Sequence, residues 1–415
     1  MKTKELKKVL LCSYACSPNK GSEEAVGWNW SIGLARLGYE VWSLTNVQDK
    51  SATLIEKEKL NLPNLHFVFV ELDYNLDKRL LHASSLKIYF HYLLWRKKAA
   101  EVSKKMHSEI GFDIAHHVSY GSLQQGSFLW KLKNTKFIFG PVGGGQEASE
   151  LFREYFGKNW KIERIRRIIS KLSFRFNRNL KMTLKNADII LVTNGDTFAQ
   201  LRNQGYEEEK IFLVLDNAVP VSMELNEFIN KSYAGPLRIL WVGRLIPRKG
   251  LKLALHALSR LPPQIEYQFI IVGDGEEFQK TGSWIEEYKL DPRRLIFAGR
   301  VPFEEMAGYY RNADVFLFSS LRDSCACQLN EAMAFGLPII SLNIQGAMHA
   351  IPDNCGIKVA FSDVYQTLTG ISDAILRFEQ DRNCLRECAQ NAFLYAKTNT
   401  WERKIELVTQ SFYLP

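Results

Sequence analysis

The sequence predicts an α/β fold made of two doubly wound, Rossmann-like domains facing each other across a cleft. Its 415 residues exceed what one hydrophobic core usually serves, so two domains of roughly 150 to 220 residues follow. Short β-branched and aromatic runs alternate with helical patterns in two successive series. Near-continuous apolar strands of this kind form parallel sheets covered on both faces. A polar, turn-rich stretch, DNAVPVSMELNEFINKSYAGP at 216–236, separates the series.

The first series reads KKVLLCSY, YEVWSLT, HFVFVEL, FDIAHHV, KFIFGPV, ADIILVT and KIFLVLDNAV. The second reads LRILWVGRL, YQFIIVGDG, RLIFAGRV, ADVFLFSS, GLPIISLN and GIKVAF. Domains are therefore expected over 1–217 and 218–394. Following the first strand, CSPNKGSEEAVGWNW leads into a helix with Val26, Trp30 and Leu34 or Leu37 on its buried side. At the far end TWERKIELVTQSFY places Trp401, Ile405, Val408 and Phe412 on one helical face, and 395–415 is expected to return to the first domain. In doubly wound sheets ligands bind beyond the carboxyl ends of the strands, so the loops there are where chemistry is sought.

Composition narrows the function classes. Apolar content of 46% and charged content of 24% are ordinary for a globular protein. No run approaches the roughly 18 apolar residues of a membrane span. MKTKELKKVLLCSY reads as a first strand, not a signal peptide, which favours the cytoplasm. Seven scattered cysteines without paired C-x-x-C spacing argue against a disulfide framework or a structural zinc site.

The net charge of +9 is concentrated: residues 152–186 hold eleven basic residues and two acids, the whole excess. Aromatic and aliphatic residues interleave there at near-helical spacing. That pattern suits an amphipathic helix on an anionic membrane surface, and equally a solvated basic helix packed by its apolar side. Nucleic-acid binding is disfavoured, because no recognised motif accompanies the charge.

Several strand ends carry candidate ligand-binding residues. In VGRLIPRKG, residues 242–250, Gly243 permits close approach, and Arg244 and Lys249 converge on one anion from a short loop before a helix. VGDG places Asp274 between two glycines after the next strand, and FAGRV offers Arg300 and Val301 to a nucleobase edge. In DSCACQLNEAMAFG, Asp323 and Glu331 are separated by seven residues. A helix beginning near Leu329 would aim the amides of Cys327, Gln328 and Leu329 at an anion, while the two carboxylates accept from sugar hydroxyls. In FGPVGGGQE three consecutive glycines permit close approach of a ligand, and Glu147 follows them. A Rossmann dehydrogenase is disfavoured, since no strand is followed by the full G-x-G-x-x-G and a later acid.

Taken in order over about a hundred residues, VGRLIPRKG, VGDG, FAGRVPFEEMAGYYRNADVFLFSS and DSCACQLNEAMAFGLPII resemble the donor-binding half of family 4 of the retaining glycosyltransferases (glycosyl transferases group 1), which have the GT-B fold. The resemblance implies diphosphate binding by Arg244 and Lys249, ribose binding by Glu331, and contact of Asp323 with the transferred sugar. It gives the amides of Cys327, Gln328 and Leu329 to the phosphates, and makes neither Cys325 nor Cys327 a nucleophile. The family's acidic pair is usually Glu-x7-Glu; Asp323 is one methylene shorter. In the first domain it implies that Gly21 lies near the phosphates or acceptor, and that His116 or His117 lies near the anomeric centre. The family's two histidines are usually separated by one residue, whereas these adjoin.

The implied activity is transfer of a hexosyl group from a nucleotide diphosphate sugar, a UDP-sugar such as UDP-glucose, to a hydroxyl of a glycan or lipid-linked acceptor in polysaccharide biosynthesis. Anomeric configuration is retained. No cofactor and no metal are implied, and the chain lacks the Asp-x-Asp of metal-dependent transferases. A non-catalytic sugar-nucleotide-binding subunit and a GT-B epimerase or phosphorylase-like enzyme stay open as alternatives. Peripheral contact of 152–186 with the cytosolic face of a membrane accompanies a lipid-linked acceptor.

Overall fold

The computed structural model describes residues 6–18, 20–81, 85–219, 227–228 and 231–413. The middle of the expected linker, 220–226 and 229–230, lies outside them, as does Asn19 of the first glycine loop.

Every apolar run quoted above forms a strand. The first sheet holds β1 (Lys8–Ser13), β2 (Glu40–Thr45), β3 (Leu65–Phe69), β4 (Ile114–Ser119), β5 (Lys136–Val142), β6 (Ile189–Val192) and β7 (Ile211–Leu213). They are all parallel, in the order β3-β2-β1-β4-β5-β6-β7. The second holds β8 (Leu237–Val242), β9 (Tyr267–Val272), β10 (Leu295–Gly299), β11 (Val315–Phe318), β12 (Ile339–Leu342) and β13 (Gly356–Val359), again all parallel, in the order β10-β9-β8-β11-β12-β13. Strand order reverses between β1 and β4 and between β8 and β11. Loops leaving neighbouring strands there diverge to opposite faces and open a crevice, the usual ligand position in such sheets.

Each sheet has its own core. In the first, Leu10, Ala115, Phe137, Phe139 and Ile190 pack under helical residues such as Tyr92 and Trp95. In the second, Ile239, Trp241, Phe269, Ile271 and Leu317 meet Leu253, Ala254, Ile371 and Ile375 from helices Leu251–Leu258 and Val364–Gln380. Burial on both faces is why these strands read as unbroken apolar runs.

The chain divides into two compact units with exchanged segments: residues 1–145, 169–217 and 401–415 form one, and 146–168 with 218–400 form the other. Division at 217 therefore needs a correction for residues 146–168. Phe152, Tyr155, Phe156 and Trp160 of that stretch join the core of the second unit, where Tyr155 Oη hydrogen-bonds His256 Nδ1 at 2.9 Å. The terminal segment also divides: helix Arg382–Thr398 stays in the second unit and helix Trp401–Phe412 packs in the first. Ile405 of the latter lies against Gly33, where a Cβ would come within 2.3 Å of its Cδ1. Helix Ser22–Arg36 buries Val26, Trp30 and Leu34 as expected, and leaves Leu37 exposed just past its end.

Candidate functional site

The second sheet's reversal point gathers charge. After β8 the chain makes a single turn, Pro247–Lys249, and Gly250 (φ +71°) starts helix Leu251–Leu258. A Cβ on Gly250 would lie 2.1 Å from Ser319 O, so this loop is pressed against the end of β11. The Leu321 amide donates to Arg248 O at 2.8 Å, and Trp241 Nε1 donates to Ser319 Oγ at 3.0 Å. This clamp brings Lys249 to Asp323: Nζ stands 2.5 Å from Oδ2, with both side chains largely buried. Arg248, from the same turn, reaches that oxygen at 3.4 Å. The Asp323 amide donates to Gln345 Oε1 at 2.8 Å, which fixes the loop from the β12 side.

Burial alone would push the Asp323 carboxyl up; the charges of Lys249 and Arg248 outweigh it and hold the group below the usual carboxylate range. Every hydrogen bond and ion pair recorded for this carboxylate falls on Oδ2. Arg244, by contrast, is exposed and has no ion-pair partner among the described residues. One engaged and one solvated cation thus stand at the same strand end.

Helix Cys327–Ala334 begins two residues earlier than expected, and its first turn tightens so that the Leu329 amide donates to Ala326 O at 3.2 Å. That corrects the expected trio of outward-aimed amides, since Leu329 is satisfied within the turn. Gln328 and Cys327 occupy the first two helical positions. Glu331 is buried and accepts from Tyr310 Oη at 2.7 Å. Its burial raises the carboxyl above its ordinary range, the hydrogen bond from Tyr310 opposing that rise in part.

The neighbouring loops interlock. Gly243 donates to Val272 O and Leu245 to Asp274 O, at 3.0 and 2.8 Å. Gly273 (φ +136°) has no room for a side chain, because a Cβ would meet Gly243 O at 1.9 Å. The G-x-G is therefore required by contact between two loops of the protein. Asp274 and Arg300 project into solvent and Val301 is half-buried. Beside them Glu277 is buried with Oε2 unpartnered, its carboxyl raised to about 7 mainly by burial.

The first unit holds the other candidates and requires a second correction. His116 and His117 sit on β4, where adjacent side chains point to opposite faces, and both faces are covered. His116 Nε2 donates to Gly140 O at 2.7 Å, and Nδ1 accepts from Tyr413 Oη at 2.6 Å. His117 Nδ1 pairs with Ser127 Oγ at 3.2 Å, and its ring packs edge-on against Phe139. Burial lowers the two imidazoles to about 3 and about 4. Both rings are buried and neutral.

Gly21 is extended (φ −92°), and a Cβ there would meet nothing within 4 Å, so protein packing does not demand glycine at this position. In FGPVGGGQE a Cβ on Gly145 would meet Thr197 Cα at 2.5 Å, so the close approach there is made by the protein itself. Glu147 pairs with Arg167 at 2.8 Å.

A depressed histidine stabilises the fold above its unfolded pKa and loses that contribution as pH falls. Acidification below about 6.5 is expected to cost roughly 1.4 kcal/mol per pH unit for each of His116 and His117. Urea unfolding at stepped pH checks this: His117→Phe should flatten the slope between pH 6.5 and 4.5.

Sequence reasoning passed over Arg248, Tyr310, Gln345 and Glu23. The Glu23 carboxylate accepts from the Tyr120 and Gly121 amides at 2.6 and 3.3 Å and so fixes the loop after β4. Of these, Arg248, Tyr310 and Glu23 lay inside quoted motifs and Gln345 lay outside them. Among the described residues, no group of three or more His, Cys, Asp or Glu is arranged to hold a metal ion.

Residues 222–394 match the family described as glycosyl transferases group 1. The chain carries a glycosyl transferases group 1 domain. The GPI3 subunit of phosphatidylinositol N-acetylglucosaminyltransferase from Saccharomyces cerevisiae is 26% identical over 224 residues, covering 51% of this chain and 47% of that protein. The amylovoran biosynthesis glycosyltransferase AmsK of Erwinia amylovora is 36% identical over 154 residues, 35% of this chain and 36% of that one. The chain thus spans about half the length, or less, of these relatives. Sucrose-phosphate synthase from Thermosynechococcus elongatus superposes with a TM-score of 0.70 at 20% identity, over 98% of both chains. Anabaena HepE in complex with UDP does so with 0.63 at 15%, over 98% of this chain and all of that one. The fold is GT-B, and the group 1 domain coincides with the unit in which Lys249 and Asp323 meet.

Proposed function

We propose that this chain is a retaining, metal-independent glycosyltransferase, moving a hexosyl group from a UDP-sugar such as UDP-glucose to a hydroxyl of a glycan or lipid-linked acceptor in polysaccharide biosynthesis. The observation that carries this reading is the Lys249–Asp323 pair at the reversal point of the second sheet, inside the group 1 domain. A departing nucleoside diphosphate leaves negative charge at the bond that breaks. In this reading Lys249, held by Asp323, and the solvated Arg244 meet that charge as it develops, and preorganised charge is commonly the largest catalytic contribution. In this reading they do the work that other transferases give to a metal ion.

Asp323, ionised and bound through Oδ2, keeps Oδ1 for a sugar hydroxyl. Glu331, oriented by Tyr310, takes the ribose diol; Arg300 and Val301 border the base. Front-face attack, with the departing phosphate accepting the acceptor's proton, accounts for retention without a carboxylate nucleophile. The description of HepE as bound to UDP favours uridine, and the name of AmsK favours a polysaccharide.

A second reading is a sugar-nucleotide-binding subunit of a larger complex. It is favoured by the enclosed histidines and by a relative named as a subunit. Thermal unfolding with UDP, GDP and ADP, with and without EDTA, separates these cases. An EDTA-insensitive shift with UDP, worth about 2.7 kcal/mol at a hundredfold excess over Kd, supports the donor site. No shift with any nucleotide at millimolar concentration overturns it. Slow UDP-glucose hydrolysis then favours the enzyme, tight binding without turnover the subunit. A β-linked product from the α-linked donor, seen by NMR, would refute retention.

A further inference from the structure

Helix Trp160–Phe176 is turned inside out. A surface helix ordinarily buries its apolar stripe and shows its charges to water. Here Ile162, Ile165, Ile168, Ile169, Leu172 and Phe176 are each between 47% and 69% exposed. At 100° per residue these six positions span about a third of the circumference. The opposite side, which packs on the protein, carries Glu163, Ser170 and Phe174, with Arg166 and Arg167 at its edges. Those polar groups are satisfied inward: Glu163 binds Arg322 at 2.8 Å, Arg166 donates to Gln146 O at 3.0 Å, and Arg167 reaches Glu147 at 2.8 Å. Ser170 Oγ accepts from Gln124 Nε2 at 3.0 Å. The outward direction of the apolar stripe is thus held by ion pairs and hydrogen bonds along the helix.

The stripe has a charged border. Arg164, Lys171 and Arg175 are exposed and lie on one flank of it, and exposed Lys161 stands at its N-terminal end. The next helix, Arg178–Asn186, adds exposed Arg178, Lys181 and Lys185. Six large aliphatic or aromatic side chains beside a row of cations match the two layers of an anionic bilayer, acyl boundary and phosphate plane. A second copy of the same face would bring its cations against these, and nucleic acid would leave the six apolar groups in water.

We infer that the outer face of helix Trp160–Phe176 is a docking surface for an anionic lipid membrane, with Ile165, Ile169, Leu172 and Phe176 entering the acyl boundary and Lys161, Arg164, Lys171 and Arg175 meeting the headgroup phosphates. The segment 152–186 narrows accordingly. Phe152, Tyr155, Phe156 and Trp160 are core residues and take no part, and Arg166 and Arg167 are bound inward. The inference is independent of the donor chemistry, because binding is read with no nucleotide present.

Flotation of the full chain with vesicles of phosphatidylcholine alone, and of phosphatidylcholine with phosphatidylglycerol, tests it. Binding to the anionic vesicles is expected to exceed binding to neutral ones at least tenfold and to fall with salt. Ile165→Ser/Ile169→Ser and Lys171→Glu/Arg175→Glu should each abolish most of it. All four positions are exposed, and an unchanged melting temperature verifies that the fold is intact. Ile169→Trp supplies a second readout: its emission should shift to the blue on anionic vesicles only. Equal binding to both vesicle types, or binding untouched by these substitutions, overturns the proposal. So does a concentration-dependent dimer, lost with Ile165→Ser/Ile169→Ser, in a protein that ignores vesicles.

Discussion

Lys249→Met is expected to be the most damaging single change at the proposed donor site. It leaves Asp323 largely buried with Arg248, at 3.4 Å, and the weaker influence of Arg322 to oppose the cost of its charge. Removing one partner of a buried ion pair typically costs about 3–5 kcal/mol. The loss should depend on pH in a definite direction. Asp323 is held below its ordinary range in the folded protein. Its contribution is therefore complete above the unfolded pKa of about 3.9 and is lost as pH falls through the lower folded value. In the variant, burial acts with less opposition and the folded carboxyl rises, so part of the penalty at neutral pH is relieved by protonation. Urea midpoints for the two proteins should be far apart at pH 7 and converge toward pH 4. Turnover of the UDP-sugar is expected to drop by about 10²–10³, the usual cost of losing a preorganised charge from a transition state. A variant that is destabilised but retains its UDP-induced thermal shift and its turnover would mean that Lys249 serves only Asp323.

Glu331→Gln should behave in the opposite way toward stability. Glu331 is raised by burial, so the folded state binds its proton more tightly than the unfolded chain, and stability declines as pH rises from the unfolded pKa toward the folded one. Glutamine keeps an oxygen for the Tyr310 hydroxyl and removes the cost of a buried charge. Its melting temperature at pH 7 should equal or exceed that of the parent. UDP affinity should nevertheless fall about 10- to 100-fold, because hydrogen bonds from hydroxyls to a charged group contribute about 1.5–3 kcal/mol. Differential scanning fluorimetry with a UDP titration reads both quantities in one experiment. Unaltered affinity would remove Glu331 from the nucleotide site.

Both sheets were legible because strands buried on two faces are written as unbroken apolar runs, from VLLC in β1 to IKV in β13. The donor loops were legible for a related reason: Gly243, Lys249, Gly250 and Asp323 lie within a few residues of strand ends. Residues whose role depends on partners distant in sequence were not. Tyr310 reaches Glu331 from another helix, and Gln345 reaches the Asp323 amide from beyond β12. The histidine pair was misjudged although the needed fact was at hand. Neighbours on a strand point to opposite faces, and in a doubly covered sheet both faces are core. For helix Trp160–Phe176 the 3.6-residue period locates an amphipathic helix, but it carries no information about which side meets the protein. That was decided by Glu163, Arg166 and Ser170 finding partners inside.

The exchange of segments between the units bears on how the polypeptide is made. Residues 146–168, which complete the second core with Phe152, Tyr155, Phe156 and Trp160, leave the ribosome before any strand of that sheet exists. The first unit waits longer still. Tyr413, whose hydroxyl satisfies His116, and Ile405, which fills the hollow at Gly33, are translated after both sheets. Neither half can be finished co-translationally as a contiguous fragment. At a synthesis rate of about 5–20 residues per second, an aromatic cluster and a buried imidazole spend tens of seconds without their final partners. A nascent chain stalled before residue 401 should therefore be open to chaperones and proteases in its first unit, and one stalled before β8 in both halves at once.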